Sequence, residues 1–143
     1  MEVDRTGMEV LPRAECLSLL RGSLVGRVVV TDRALPAAFP VNFALLGDDV
    51  VFRTTAGSKL EAASARAVVA FEVDDLDPVR QTGWSVLIQG RAGLVEDPID
   101  LARAGALPFQ PWAPGRRLEF VRVRSELVSG RRLLQPALAA APN

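Results

Sequence analysis

The chain has 143 residues, 49% of them apolar, and its 17 basic residues are balanced by 17 acidic ones. That length suits one domain with one core, and zero net charge offers no overall field to draw in nucleic acid or an anionic membrane. One cysteine, no histidine and no tyrosine exclude a disulfide framework, Ser-His-Asp and Cys-His nucleophiles, an ordinary zinc site and histidine-ligated haem, so any chemistry is expected to come from a bound cofactor.

In chain order, residues 1–8 are expected to fray. Met8-Glu9-Val10 repeats Met1-Glu2-Val3, which makes Met8 a candidate alternative start. No signal peptide is expected from the charged opening, and runs such as Val28–Val30 and Ala67–Phe71 are too short to span a bilayer. A cytoplasmic protein is therefore expected. Pro12 and Gly22 bracket a short amphipathic helix with Cys16, Leu17, Leu20 and Leu24 on its apolar face. Strands follow at Gly26–Asp32 and Ala37–Leu46. Gly47-Asp48-Asp49 turns the chain into a strand at Val50–Thr55. Ala56–Ala65 reads as a helix, Ala67–Val73 as a buried strand and Asp74–Thr82 as a polar loop in which Asp74, Asp75 and Asp77 are solvated. Trp84–Val95 is a long strand with Gly90 and Gly93 as bend points. Pro98–Ala106 is a short helix, and a proline-rich connection over Leu107–Gly115 leads to strands at Leu118–Arg124 and Glu126–Leu134. One domain over 9–135, followed by a disordered tail at 136–143, is expected. The fold class is mainly β, an antiparallel barrel with three small helices.

Sixteen of the basic residues are arginine, and the one lysine is Lys59. It falls in Val51-Phe52-Arg53-Thr54-Thr55-Ala56-Gly57-Ser58-Lys59-Leu60-Glu61, where a strand passes through glycine into a helix. Unpaired N–H groups, hydroxyls, a lysine and an arginine fork suit a phosphate monoester. The same residues also suit an ordinary capped helix, with Ser58 as N-cap and Glu61 completing a capping box. The GxxxxGK[ST] spacing of a P-loop is missing. Asn42, among the apolar residues of Ala38–Phe43, needs a partner for its amide if buried, which a polar heterocycle or a neighbouring backbone group would supply. Trp84 opens its strand with an aromatic that serves either core or ligand.

Together, Pro40-Val41-Asn42-Phe43, Phe52-Arg53-Thr54 with Gly57-Ser58-Lys59-Leu60, Val69–Glu72 and Gly83-Trp84-Ser85-Val86 with Gly90 resemble the pyridoxamine 5′-phosphate oxidase-like flavin-binding proteins, especially their small flavin-nucleotide-binding branch. The resemblance covers roughly Met8 to Leu134. It implies a split β-barrel of the FMN-binding type, Greek-key-like, that forms a homodimer with FMN at the interface. Pro40, Val41, Asn42 and Phe43 would line the ring, while Arg53, Thr54, Thr55, Ser58 and Lys59 would meet the phosphate. Trp84, Ser85 and Val86 would pass beside the flavin, and Trp112 and Arg116 would reach the partner's cofactor. The family's true oxidases use a tyrosine for the substrate phosphate and a C-terminal arginine–histidine pair. Nitroimidazole-resistance relatives use a histidine. This chain has none of these tyrosines or histidines, and Val128-Ser129-Gly130-Arg131-Arg132 does not reproduce that clamp. The expectation is an FMN-dependent oxidoreductase for a small organic substrate, not a pyridoxamine 5′-phosphate oxidase. Alternatives are the deazaflavin F420, with Arg66, Arg80, Arg116 and Arg117 forming a basic groove, a non-catalytic flavin-binding or storage module, and a cofactor-free interaction barrel.

Overall fold

A computed structural model describes residues 1–109 and 118–134. The elements run β1 (Glu2–Val3), β2 (Glu9–Val10), α1 (Arg13–Arg21), β3 (Val25–Asp32), β4 (Leu35–Leu46), β5 (Asp49–Thr55), α2 (Lys59–Ser64), β6 (Ala67–Asp77), β7 (Thr82–Leu94), α3 (Pro98–Gly105), β8 (Leu118–Val123) and β9 (Leu127–Leu133). Trp112, Arg116, Arg117, most of the proline-rich connection and the tail at 136–143 lie outside the described residues.

Six strands close a barrel. β3 pairs with β4, β4 with β5, β5 with β8, β8 with β7, β7 with β6, and β6 returns to β3, every pair antiparallel. The spatial order β6-β3-β4-β5 is a Greek key, because the fourth strand returns by way of α2 to lie beside the first. The mainly β, split-barrel expectation therefore holds.

Alternation places Val28, Val30, Phe43, Val50, Phe52, Val69, Phe71, Val86, Ile88, Val121 and Val123 inside, all buried. Each such side chain contributes roughly 1.5–3 kcal/mol by leaving water. Phe43 meets Phe71 edge-on at 4.9 Å between centroids. Gly26 makes room for this pair, since a Cβ there would stand 2.5 Å from the Phe71 ring.

β7 serves two neighbours. Gly83–Gln89 pair with β9, and Ala92–Leu94 pair with β8. Gly90 sits at the change of partner, where a Cβ would collide with the Arg124 carbonyl. No comparable crowding exists at Gly93.

Three expectations need correction. Residues 1–8 carry structure: the repeated Glu-Val pairs form β1 and β2, which pair with each other, and β2 pairs in turn with β9. Asp4 holds that hairpin by accepting from the backbone N–H of Thr6 and Met8 and from Arg131. The acidic stretch Asp74–Asp77 is strand rather than loop, and the true turn is only 78–81. Arg27 lies opposite Glu72 and reaches both Glu72 and Asp74, at 3.3 and 3.4 Å, while Asp77 caps the turn by accepting from Val79 and Arg80 N–H groups. Neutralising those carboxylates lets pairing continue through them. Leu24 leaves the helix face because α1 ends at Arg21. Its side chain is exposed, and its carbonyl accepts from Phe43 N–H.

Burial, reinforced by a hydrogen bond and charge from Asp74, pushes Glu72 from 4.5 up to about 7. Between those values the folded chain holds a proton that the unfolded chain releases, so stability falls as pH rises through that window. Glu72→Gln should flatten this dependence in urea titrations compared at pH 5 and pH 7.5. An unchanged slope would place the titrating group elsewhere.

Candidate functional site

β4 and β5 are hydrogen-bonded only from Leu46↔Asp49 to Phe43↔Phe52. Beyond that point they part. β4 continues with β3, from Asn42↔Val25 to Leu35↔Asp32, whereas β5 continues with β8 through Arg53↔Phe120, Thr54↔Glu119 and Thr55↔Leu118. A cavity of about 420 Å³ occupies the opening, lined by Val25, Phe39, Pro40, Val41, Asn42, Arg53, Thr54, Thr55, Ser58 and Leu60. Its volume falls within the range of small-molecule sites.

The backbone of β4 explains its prolines. Phe43 N–H donates to Leu24 on the β3 side. Residues of opposite parity, namely Pro36, Ala38, Pro40 and Asn42, therefore turn their backbone groups away from β3, toward the side β5 has left. Proline at two of these positions removes N–H groups that would have no ladder partner.

The cavity has two chemical ends. Val25, Phe39, Pro40, Val41 and Leu60 supply an apolar wall. Arg53, Thr54, Thr55 and Ser58 supply donors. Thr54 is only 2% exposed, yet its hydroxyl has no hydrogen-bond partner among the described residues. Asn42, half-buried rather than fully enclosed, stands opposite Val25 at the junction of the two ends. Arg53 is the one ionisable side chain of the described lining.

At the turn, Gly57 adopts φ +80°, a left-handed conformation that favours glycine. Ser58 Oγ accepts from Glu61 N–H and Glu61 Oε1 accepts from Gly57 N–H, both at 3.2 Å. The capping box is thus present. It does not exhaust Ser58, because an accepting hydroxyl keeps its own O–H to donate.

Pro40, Val41, Asn42, Arg53, Thr54, Thr55 and Ser58 come together in this lining, and the remaining candidates lie elsewhere. Phe43 points into the barrel core. Lys59 is exposed at the start of α2, next to Ser58 but outside the lining. Trp84, Ser85 and Val86 sit on β7, opposite Arg132, Arg131 and Gly130 of β9, and β6 and β3 intervene between β7 and β4. Of the proposed basic groove, Arg80 lies 3.8 Å from Asp77 and neither it nor Arg66 lines the cavity. Arg131 and Arg132 of the C-terminal strand bind Asp4, Glu9 and Glu15. Val25, Phe39 and Leu60 are lining residues that sequence reasoning did not single out. Phe39 and Leu60 flank predicted site residues, a usable signal, whereas Val25 arrives only through its register with Asn42.

Comparison with known proteins agrees with this architecture. The family model described as pyridoxamine 5′-phosphate oxidase matches residues 12–132. The uncharacterized protein Rv0080 of Mycobacterium tuberculosis is 41% identical over 129 residues, covering 87% of this chain and 84% of the relative. Among solved structures, an FAD binding protein from Mycobacterium smegmatis superposes with a TM-score of 0.80 at 37% identity, covering 88% of this chain and all of the other. A conserved protein of unknown function from Corynebacterium diphtheriae gives 0.77 at 34% identity, covering 90% of this chain and 99% of the other. A sequence match spanning α1 to β9, on a Greek-key barrel with a cavity where β4 leaves β5, makes this chain a member of the pyridoxamine 5′-phosphate oxidase family.

Proposed function

We propose that the cavity binds a flavin nucleotide, FMN by preference, and that the protein is a flavin-dependent oxidoreductase acting on a small organic substrate. The observation that carries this is Thr54: a buried hydroxyl without a hydrogen-bond partner among the described residues, next to Arg53 at the polar end of a cavity whose other end is apolar. An orphaned buried hydroxyl costs roughly 1–3 kcal/mol, and an acceptor oxygen on a ligand would recover it. A flavin fits both ends, with the flat ring against Phe39, Pro40 and Val41, its polar edge at Asn42, and its phosphate at Arg53, Thr54, Thr55 and Ser58. Lys59 would add charge from outside the lining.

A bound flavin supplies one- and two-electron redox chemistry. The described lining offers no carboxylate or other group to exchange a proton near neutral pH, so these residues bind, orient and desolvate. The missing tyrosine and histidine argue against pyridoxamine 5′-phosphate as substrate. FAD is the second possibility, favoured by the name of the M. smegmatis protein at 37% identity. It shares the riboflavin phosphate half that the cavity is proposed to hold. F420 is less favoured because neither Arg66 nor Arg80 lines the cavity.

A homodimer is part of the same proposal. Val25, Val68 and Leu127 are exposed apolar side chains of β3, β6 and β9, at 55%, 72% and 66% exposure, and apolar surface left open to solvent is available to a second copy of the chain.

Four experiments test this. Heating the purified protein should release FMN, identified by mass; FAD in its place would move the assignment to the second possibility. A colourless protein that binds neither on titration would overturn the flavin assignment. Arg53→Ala should weaken FMN binding roughly ten- to hundredfold, as expected for a hydrogen bond to a charged group, while leaving riboflavin nearly unchanged. Thr54→Val should weaken FMN as well, yet stabilise the flavin-free protein by about 1 kcal/mol by removing the orphaned hydroxyl. Sedimentation should show a dimer with flavin saturated, and a monomer there would remove the partner from the site.

A further inference from the structure

The exterior of the barrel beside the cavity is not patterned like a solvated surface. Register sets Ala38, Val29, Ala70, Gln89 and Leu127 in one row across β4, β3, β6, β7 and β9. In the next row Arg27 stands opposite Glu72, between Pro40 on β4 and Leu87 on β7. Residues directly opposite share a face, and the intervening Val28, Phe71 and Ile88 are buried in the core. A sheet with one wetted face alternates apolar with polar residues. Here the outward positions are mostly small or apolar as well, which suits a face that will be covered. Pro40, in the second row, also lines the cavity, so this face runs up to the cavity edge.

Charge in these two rows is confined to one cluster. Arg27 Nη1 lies 3.3 Å from Glu72 and 3.4 Å from Asp74. Both contacts run through that one nitrogen, and the Arg27 side chain stays 55% exposed. Other elements packed on β6 bring Glu72 no second cation among the described residues. β7 sets Leu87 opposite it, flanked by Ser85 and Gln89. Arg131, across from Ser85 on β9, is held by Asp4. α2 carries Lys59, which is exposed, and Glu61, whose carboxylate turns back onto Gly57 N–H. One arginine thus serves two carboxyls, and the cluster is net negative when both are ionised. Burial and Asp74 already hold Glu72 at about 7. A cluster of both signs is complementary to a copy of itself, because a twofold axis sets the arginine of each copy against the carboxyls of the other. Covering two such clusters together leaves excess negative charge unless each carboxyl pair keeps a proton, and an unpaired buried charge is costly. We propose that a second copy of the chain docks on this face about a twofold axis, with the two Arg27–Glu72–Asp74 clusters set against each other, and that association tightens as pH falls from 8 to 6. This rests on the homodimer proposed above and adds to it a face and a proton.

The test is sedimentation of the purified protein with FMN in excess, over a dilution series at pH 6 and at pH 8. The dissociation constant should rise about tenfold or more from pH 6 to pH 8, as expected when each protomer takes up a proton on association. Glu72→Gln, which copies the protonated carboxyl, should hold the low-pH value at both. Ala70→Arg, which puts a cation into the uncharged row, should leave a monomer at both pH values. Thermal melting reports whether that variant is folded, and Gln89→Glu replaces it if it is not. Four outcomes would overturn the inference and leave the homodimer standing: a constant that does not change with pH, an equal rise in Glu72→Gln, a dimer that survives nanomolar dilution intact at both pH values, or a dimer that survives the row substitution. An unaltered protein that is monomeric at both pH values would overturn both.

Discussion

The parting of β4 from β5 at Phe43↔Phe52 is the constraint on which the rest of this molecule depends. β4 has twelve residues and β5 has seven, and beyond Phe43 each strand is claimed by another neighbour, β3 on one side and β8 on the other. The barrel still closes, because β8 enters between β5 and β7. A gap therefore opens in the wall without leaving an open sheet. Its apolar wall comes from Val25, Phe39, Pro40, Val41 and Leu60, and its polar part from Arg53, Thr54 and Thr55 on the departing strand together with Ser58.

Charge is arranged to leave that rim distinct. Asp49, at the start of β5, accepts from Arg122 Nε at 2.8 Å, from Arg124 at 3.2 Å and from Ser125 N–H at 2.9 Å, which ties β8 to the β4–β5 hairpin. Arg122 and Asp49 are mostly shielded, while Arg21–Asp48 and Arg91–Glu126 are exposed pairs and contribute little stability individually. Their consequence is selectivity of placement. Arg21, Arg27, Arg91, Arg122, Arg131 and Arg132 are all engaged with carboxylates away from the cavity. Arg53 lies against the Phe109 ring, 4.7 Å from its centroid.

Family membership and cavity chemistry bear on different questions. Membership gives the barrel and its order of strands. The polarity of the cavity and its orphaned hydroxyl bear on the class of ligand proposed for it. The enzymatic question turns on groups the described lining does not supply, since neither a histidine nor a tyrosine exists anywhere in the chain. A redox cofactor reconciles these facts, because it brings its own reactivity and asks the protein only for position and electrostatics.

The sequence by itself determined the succession of strands and helices in outline, the helix ends at Pro12, Gly22 and Ser58, and the family, because local patterning and short motifs carry that information along the chain. It also drew attention to Pro40, Asn42, Arg53, Thr54 and Ser58, whose backbone chemistry marks a turn and an interrupted ladder. Only tertiary structure decided which of those residues share one space. Lys59 belongs to the same motif as the lining residues Arg53, Thr54 and Ser58, and Trp84 to a motif expected beside them, yet helix direction and sheet order carry both away from the cavity. Val25 enters through register, and Phe109 meets Arg53 across 56 positions of chain. The acidic run after Val73 continues as strand in register with β7, and Arg27, 47 positions before Asp74, reaches its first carboxylate. Each of these outcomes depends on a long-range partner, and sequence periodicity records only which face a residue presents, not what will be brought against it.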